Sequence, residues 1–163
     1  MSRAQTQARA AARRFDSPEQ EAFLSLWRTY DRLRALEDEL FAGFNLTPQQ
    51  YNALRLLRAD HPDPVPTLAL ADRLVSRAPD ITRMIDKLEQ RGLITRTRKA
   101  GDRRSVLVAM TPAGLELLDA IAAPLRACHA RQLGHLPPAD LLRLTALLKA
   151  ARAPHEPSDS AWA

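Results

Sequence analysis

The stretch from Leu68 to Pro112 constrains the fold of this chain more than any other part of it. Its pattern predicts a short helix, a turn, a second helix and then two strands joined by a basic tip. The second of these helices, expected over 78–91, carries apolar residues at i, i+3, i+4 and i+7, the spacing of one buried helical face. The strands are expected over 93–98 and 105–110. A helix followed by an arginine-tipped hairpin is the pattern of a winged helix-turn-helix, which commonly binds DNA.

Longer helices are predicted on both sides of this stretch. The first is expected from Ser17 to about Gly43, and the second begins at Thr47 and is expected to stop before Asp60. Each opens with a hydroxyl cap, a proline and a glutamine three residues after the cap. Three prolines within 61–66 predict a loop there. The other expected elements are a helix over 67–74, a turn over 75–77, a helix from Thr111 to the break at 136–138, and a last helix over 139–151.

The predicted fold class is therefore mainly α-helical with a small β wing. The first helix and the last two carry more apolar residues than a winged domain alone needs, and such stripes suit a two-fold helical interface. The expected organisation is a basic disordered arm over 1–16, a helical dimerisation region over 17–45 and 112–152, a winged helix-turn-helix domain over 46–111 and a disordered tail over 153–163.

The distribution of charge favours a polyanionic partner more strongly than the net charge of +5 does. Between Arg73 and Arg104 there are ten Lys and Arg residues against four Asp and Glu residues, whereas 16–40 is acidic or mixed. A cationic block on a near-neutral frame is typical of a nucleic-acid surface. The first fifteen residues carry four Arg and no acid, so this arm either adds DNA contacts or is merely solubilising.

Several other classes of protein are disfavoured. The one cysteine, Cys128, lies on an apolar helical stripe, which favours an inert core thiol over a redox sensor. The four histidines lack zinc-site spacing, so neither a metal nor another cofactor is expected. There is no Gly-rich phosphate loop and no G-x-S-x-G motif, so no enzyme is predicted. No apolar run approaches the roughly 18 residues of a membrane span, and no signal peptide is visible. We therefore expect a cytoplasmic, nucleoid-associated protein.

The predicted helix over 78–91 can bury one face and present the other to DNA. Arginine can pair with O6 and N7 of guanine, and threonine can contact a thymine methyl group or a phosphate. Backbone N–H groups at the helix start favour phosphate, and a basic hairpin suits the electronegative minor groove. The predicted DNA-binding residues are Ser76, Arg77, Asp80, Thr82, Arg83, Lys87, Arg96, Arg98, Lys99, Asp102, Arg103 and Arg104.

One acidic residue, Asp102, stands within the basic tip. We expect its carboxylate to pair with Arg104 and to orient that guanidinium, because a bidentate pair fixes geometry. The alternative is a loose surface pair worth less than about 1 kcal/mol. An Arg104→Lys substitution would then weaken DNA binding although it keeps the charge.

The motifs LTPQQYNALRLLR, LALADRL, ITRMIDKLEQRGLITR, GDRRS and MTPAG follow one another in an order and spacing that resembles the MarR family of bacterial transcriptional regulators. The resemblance covers roughly Phe23 to Ala151. It implies a homodimer whose terminal helices form the joint and whose two winged domains lie on successive major grooves. By position, Asp102 and Arg104 match the family's wing pair, and Thr82 and Arg83 match its recognition helix.

The resemblance also implies a response to a small ligand, often an aromatic acid or another phenolic compound, bound between the helical joint and the winged domain. The candidate ligand-binding residues are Trp27, Tyr30, Tyr51 and Arg55, although the alternative is that the aromatics are core residues and Arg55 is a surface residue.

The sequence predicts a dimeric transcriptional regulator that binds specific sequences in double-stranded DNA. It would repress nearby genes, and a small ligand would relieve the repression. Its operator would be an inverted repeat with half-sites about 10 bp apart. Two alternatives stay open. One is a helical protein-interaction module whose basic hairpin binds an acidic partner, and the other is an activator or architectural DNA-binding protein of the same fold.

Overall fold

The computed structural model describes residues 15–75, 80–99, 102–157 and 160, and at Lys99 and 102–105 it describes the backbone alone. The chain divides between Glu37 and Asp38 into two compact units. The described elements are α1 (Pro18–Ala42), α2 (Pro48–Asp60), β1 (Val65–Pro66), α3 (Thr67–Asp72), α4 (Ile81–Gln90), β2 (Ile94–Lys99), β3 (Asp102–Met110), α5 (Pro112–Leu133), α6 (Pro138–Arg152) and a 3-10 turn (Ala153–His155).

The described part of the first unit, residues 15–37, consists mainly of the N-terminal part of α1. The Ser17 hydroxyl accepts a hydrogen bond from the backbone N–H of Gln20 at 3.1 Å, and the Gln20 side chain accepts one from the N–H of Asp16 at 2.7 Å. These bonds satisfy N–H groups that lack a partner at a helix start, so the predicted beginning of the helix is confirmed. Every residue over 21–32 is exposed, including the tilted ring pair Phe23 and Trp27.

The second unit begins with the end of α1 and continues through α2. Thr47 and Gln50 form the capping box predicted from the sequence. The Thr47 hydroxyl accepts from the N–H of Gln50 at 3.2 Å, and the Gln50 side chain accepts from the N–H of Thr47 at 2.9 Å. Thr111 caps α5 similarly, since its hydroxyl accepts from the N–H of Gly114 at 3.1 Å and donates to the carbonyl of Gly92 at 2.7 Å. The second bond ties the start of α5 to the residue that follows α4.

The sheet has three antiparallel strands in the order β1-β3-β2. The prediction of an uninterrupted loop over 61–66 was wrong at its end, because Val65 pairs with Val108 and Pro66 with Leu107. A proline is tolerated there because β1 is an edge strand. Val65 and Val108 are both buried, so the short strand contributes to the core as well as to the sheet.

Several other boundaries differ from those predicted, and among them α3 ends at Asp72 rather than at residue 74. Helix α4 begins at Ile81 rather than at residue 78, because Asp80 has non-helical dihedral angles and caps it. Strand β3 begins at Asp102 rather than at residue 105, since Lys99 and Asp102 are paired across the hairpin. The predicted disordered tail includes the 3-10 turn Ala153–His155. Most of the turn predicted over 75–77 lies outside the described residues, as does most of the predicted basic arm.

The core of the second unit lies where α2, α4, α5 and the sheet meet. Helix α5 buries one stripe that includes Leu118, Ile121, Leu125 and Cys128, so the predicted burial of the cysteine is confirmed. Helix α6 buries none of its residues. In the described part of the chain, no helix combines the length and apolar character that crossing a membrane requires. The largest fully buried side chains are Phe41, Leu54, Leu57, Leu70, Ile85, Leu88, Ile94, Ile121 and Val108.

Candidate nucleic-acid interface

Helix α4 has one apolar face and one polar face, as its sequence predicts. Met84, Ile85 and Leu88 are buried and attach the helix to the core of the second unit. The opposite face exposes three of the predicted DNA-binding residues, which are Thr82, Arg83 and Lys87. A helix held in this way offers hydrogen-bond donors and a methyl group to a groove of DNA while its backbone stays fixed by packing.

Asp80 was predicted to lie on this polar face, but it precedes the helix instead. Its carboxylate accepts a hydrogen bond from the backbone N–H of Arg83 at 2.9 Å. This bond satisfies one of the free N–H groups of the first turn, and a negative charge at this end also suits the helix dipole. The side chain therefore has a structural role that sequence spacing alone did not reveal.

A polar groove lies between the start of α2 and the exposed face of α4. Two adjoining depressions of about 460 Å³ and 310 Å³ form it, and both are lined by Thr47, Gln50 and Lys87. Arg83 lines the second depression and Arg91 the first. The three cationic lining residues outnumber the one acid, Asp80, so the groove suits an anionic partner such as a phosphate.

The guanidinium of Arg96, a predicted DNA-binding residue, has protein partners on α4. Its Nε and NH2 lie 2.7 Å and 2.5 Å from Oε2 of Glu89, and its NH1 lies 2.5 Å from Oδ1 of Asp86. Its backbone N–H also donates to Oε1 of Glu89 at 3.2 Å. The hydrogen bond from Arg96 lowers the pKa of Glu89 below its usual value, although desolvation opposes the shift. We call these three residues the Arg96 cluster.

The wing itself is partly described. Arg98 is exposed on β2, where a partner outside the chain can reach it. The predictions for Ser76 and Arg77 lie outside the described residues. Those for the side chains of Lys99, Asp102, Arg103 and Arg104 do so too, so the expected pairing of Asp102 with Arg104 stays a prediction.

Arg91, at the C-cap of α4, is a structural residue that the sequence did not single out. Its NH1 donates to the carbonyl of Asn45 at 2.5 Å and its NH2 to the carbonyl of Phe44 at 3.2 Å. The acceptors lie in the turn between α1 and α2, 46 and 47 residues away along the chain. This distance explains why local patterns could not reveal the contact. Asn45 has a φ of 52°, in the left-handed region that asparagine adopts more readily than most residues in turns.

The predicted ligand-binding residues have separate environments. Tyr51 stacks on Phe41 with ring centroids 4.7 Å apart, as a core residue would. Arg55 is exposed and donates to the side-chain oxygen of Asn52 at 3.0 Å. Trp27 and Tyr30 belong to the first unit and are 61% and 59% exposed. Among the described residues, no cluster of three or more His, Cys, Asp or Glu side chains could hold a metal ion.

The three-stranded winged sheet beside a helix with an exposed basic face defines a winged helix-turn-helix protein. Residues 46–106 match the model of the MarR family. A crystal structure of a MarR transcription factor from Planctomyces limnophilus is 57% identical, with a TM-score of 0.68, and the match covers 84% of this chain and 99% of that one. The chain therefore belongs to the MarR family of transcription regulators, which bind DNA and are not enzymes.

Two further comparisons agree with this assignment. The uncharacterized HTH-type transcriptional regulator YkoM of Bacillus subtilis is 32% identical over 144 residues, which are 84% of this chain and 90% of that protein. A mutant MarR from Escherichia coli, crystallised in complex with operator DNA, has the same fold with a TM-score of 0.70. It is 22% identical, and the match covers 77% of this chain and 89% of that one.

Proposed function

We propose that this protein is a homodimeric repressor that binds an inverted repeat in double-stranded DNA, with α4 in the major groove and the wing at the adjacent minor groove. The observation that carries the proposal is the polar face of α4. Thr82, Arg83 and Lys87 are exposed on a helix whose other side is buried. Arg83 supplies the planar donor pair that matches guanine, and Lys87 supplies a point charge for a phosphate or a base acceptor.

Exposed apolar side chains support the dimer. In the first unit, α1 exposes 61% of Phe23, 48% of Leu26 and 61% of Trp27. In the second unit, α6 exposes 74% of Leu142 and 60% of Leu147 and buries none of its residues. Exposed apolar side chains of this size favour a protein interface in a chain that is otherwise highly charged. A second copy of the chain is the partner whose symmetry also explains an inverted-repeat operator.

Repression follows from a simple competition. A dimer bound over or beside a promoter excludes polymerase, and a ligand that favours dimers with a different helix spacing releases it. The effector is proposed from the resemblance alone, as a small aromatic or phenolic compound. An activator of the same fold would bind the same kind of DNA at a different position relative to the promoter.

Selection of DNA fragments by the full-length protein tests the proposal. Fragments of genomic DNA are bound at several salt concentrations, sequenced and compared with a scrambled library. The proposal predicts an enriched inverted repeat with half-sites about one helical turn, or 10 bp, apart, overlapping a promoter. Enrichment of sites upstream of promoters whose transcription rises with the protein would instead favour an activator. The absence of any enriched sequence would contradict the proposal.

A further inference from the structure

The Arg96 cluster joins the two parts of the domain that are proposed to contact DNA. Asp86 and Glu89 belong to α4, whereas Arg96 belongs to β2, the first strand of the wing. The acids are three residues apart, so both point to the same side of the helix. Arg96 faces that side because β2 runs antiparallel to β3 and sets Arg96 opposite Val108, a fully buried residue. The wing is thereby attached to α4 by charged hydrogen bonds as well as by core packing.

The geometry of the cluster requires arginine. One guanidinium engages two carboxylates at once, through NH1 on Asp86 and through Nε and NH2 on Glu89. A lysine ammonium is a point charge on a flexible stem and cannot hold this planar arrangement. The side chains are 31–41% exposed, so screening by solvent limits the contribution of each pair to stability. Orientation, rather than stability, is then the main consequence of the contacts.

The charge of the cluster gives a second reason to assign it a role. Two carboxylates beside a DNA-contacting helix repel phosphates, and one arginine neutralises only one of them. On electrostatic grounds alone, removal of Glu89 would strengthen binding to any DNA. The presence of an acid at residue 89 is explained if Glu89 favours binding in another way, by fixing the orientation of the wing.

From this arrangement we propose that Arg96 is a positioning residue, which acts through Asp86 and Glu89 to set the wing at the angle that lets α4 and the wing contact adjacent grooves together. The inference rests on the proposed function. It differs from the expectation that Arg96 itself contacts DNA, because a guanidinium held by two carboxylates has few donors left for a phosphate.

The proposal is tested by measuring affinity for the selected operator and for scrambled DNA. The variants are Glu89→Gln, Arg96→Gln, Arg96→Lys and the double variant Glu89→Gln/Arg96→Gln. Asp72→Asn is the matched control, since Asp72 is an exposed acid at the end of α3 in the same unit. Glu89→Gln is expected to weaken operator binding about tenfold while scrambled-DNA binding stays the same or tightens. Arg96→Lys should lose as much operator affinity as Glu89→Gln. The double variant should lose no more operator affinity than the weaker-binding of its two single variants, as expected of residues that act together.

The salt dependence separates positioning from direct contact. Loss of a direct phosphate contact by Arg96 would reduce the slope of log Kd against log salt by about 0.9 in Arg96→Gln and leave it unchanged in Glu89→Gln, whereas loss of positioning removes wing contacts and reduces the slope in both variants. The proposal is overturned if Glu89→Gln binds the operator as tightly as the wild type, or if Arg96→Gln reduces the slope and Glu89→Gln does not. It is also overturned if operator and scrambled DNA weaken alike, as a general loss of folding would cause. Wild-type protein that shows no operator preference would instead refute the proposed function.

Thermal unfolding accompanies each binding measurement, so that affinities are compared well below the melting temperature. Arg96→Lys retains the charge and most of the side-chain volume, and it therefore tests the proposal even if Arg96→Gln is too unstable to assay. An Arg96→Lys protein that folds and binds the operator normally contradicts the proposed role.

Discussion

The guanidinium of Arg91, at the C-terminal end of α4, donates a hydrogen bond to the carbonyl oxygen of Asn45 in the turn that joins α1 to α2. A second bond reaches the carbonyl of Phe44. The proposed recognition helix is therefore held near its end by the turn before α2, and the Arg96 cluster attaches its side to the wing. Both contacts adjoin the polar face of Thr82, Arg83 and Lys87 that we assign to DNA, because Asp86 lies one turn after Thr82 and Arg91 one turn after Lys87.

Replacing Arg91 by alanine should lower the free energy of unfolding by about 1 kcal/mol, the usual net contribution of such hydrogen bonds. The two carbonyl oxygens are accessible to water after the substitution, which limits the loss. Urea denaturation of the full-length protein measures the change. Arg126→Ala is the control, because it removes another exposed arginine, from α5, and equal stability of the two variants would show that the bonds contribute nothing.

Asp80 gives a test that separates helix capping from DNA contact. Asp80→Ala should destabilise the protein by about 1 kcal/mol, whereas Asp80→Ser, which keeps a capping oxygen, should lose only a few tenths. Operator affinity should follow the same order, with Asp80→Ser close to the wild type. If Asp80→Ser lost operator affinity as severely as Asp80→Ala, the carboxylate would have to act on DNA directly.

The pKa of Glu89 predicts how the Arg96 cluster depends on pH. Its folded-state pKa is lowered, with the hydrogen bond from Arg96 as the main cause. Such a group stabilises the fold above its unfolded pKa of about 4.3, and the contribution is lost as pH falls through the lower, folded value. The difference in unfolding free energy between the wild type and Glu89→Gln should therefore be constant from pH 8 to about pH 5 and shrink in more acidic buffer. A difference that grows below pH 4 would contradict the pairing.

The proposed dimer can be tested with two leucines of equal exposure. Leu142 on α6 is 74% exposed and Leu68 on α3 is 76% exposed, but only α6 belongs to the proposed dimerisation region. Leu142→Asp should raise the dimer dissociation constant at least tenfold, because a carboxylate would be buried in the interface without a partner. Leu68→Asp should leave it unchanged. Sedimentation analysis over a range of concentrations measures both, and an unaffected Leu142→Asp dimer would remove α6 from the interface.

Local sequence patterns predicted the helices and the caps of α1 and α2, because those depend on neighbouring residues. The capping box of Thr47 and Gln50 and the buried face of α4 are examples, since spacing alone determines them. Strand β1 was not predicted because its pairing with β3 joins residues about 40 positions apart, and two residues carry no period of their own.

The candidate site was predictable to a similar extent. The exposure of Thr82, Arg83 and Lys87 followed from the helical period. The pairing of Arg96 did not, because it depends on how a strand folds back over the preceding helix. The signal that could have revealed it is the pair of acids spaced i, i+3 on α4, shortly before a strand that carries an arginine.

The contact between α4 and base edges is the central claim, and DNA selection with Arg83→Ala tests it most directly. The full-length variant and the wild type are each used to select sites from the same library in the absence of an effector. Arg55→Ala is the charge-matched control, because Arg55 is exposed on α2, outside both the proposed dimerisation region and α4. The account predicts that Arg83→Ala loses base preference at one symmetry-related position in each half-site, at a cost of about 1–3 kcal/mol per arginine–guanine pair, while Arg55→Ala selects the wild-type sequence. An Arg83→Ala protein that selects the same sequence with the same affinity would contradict the account.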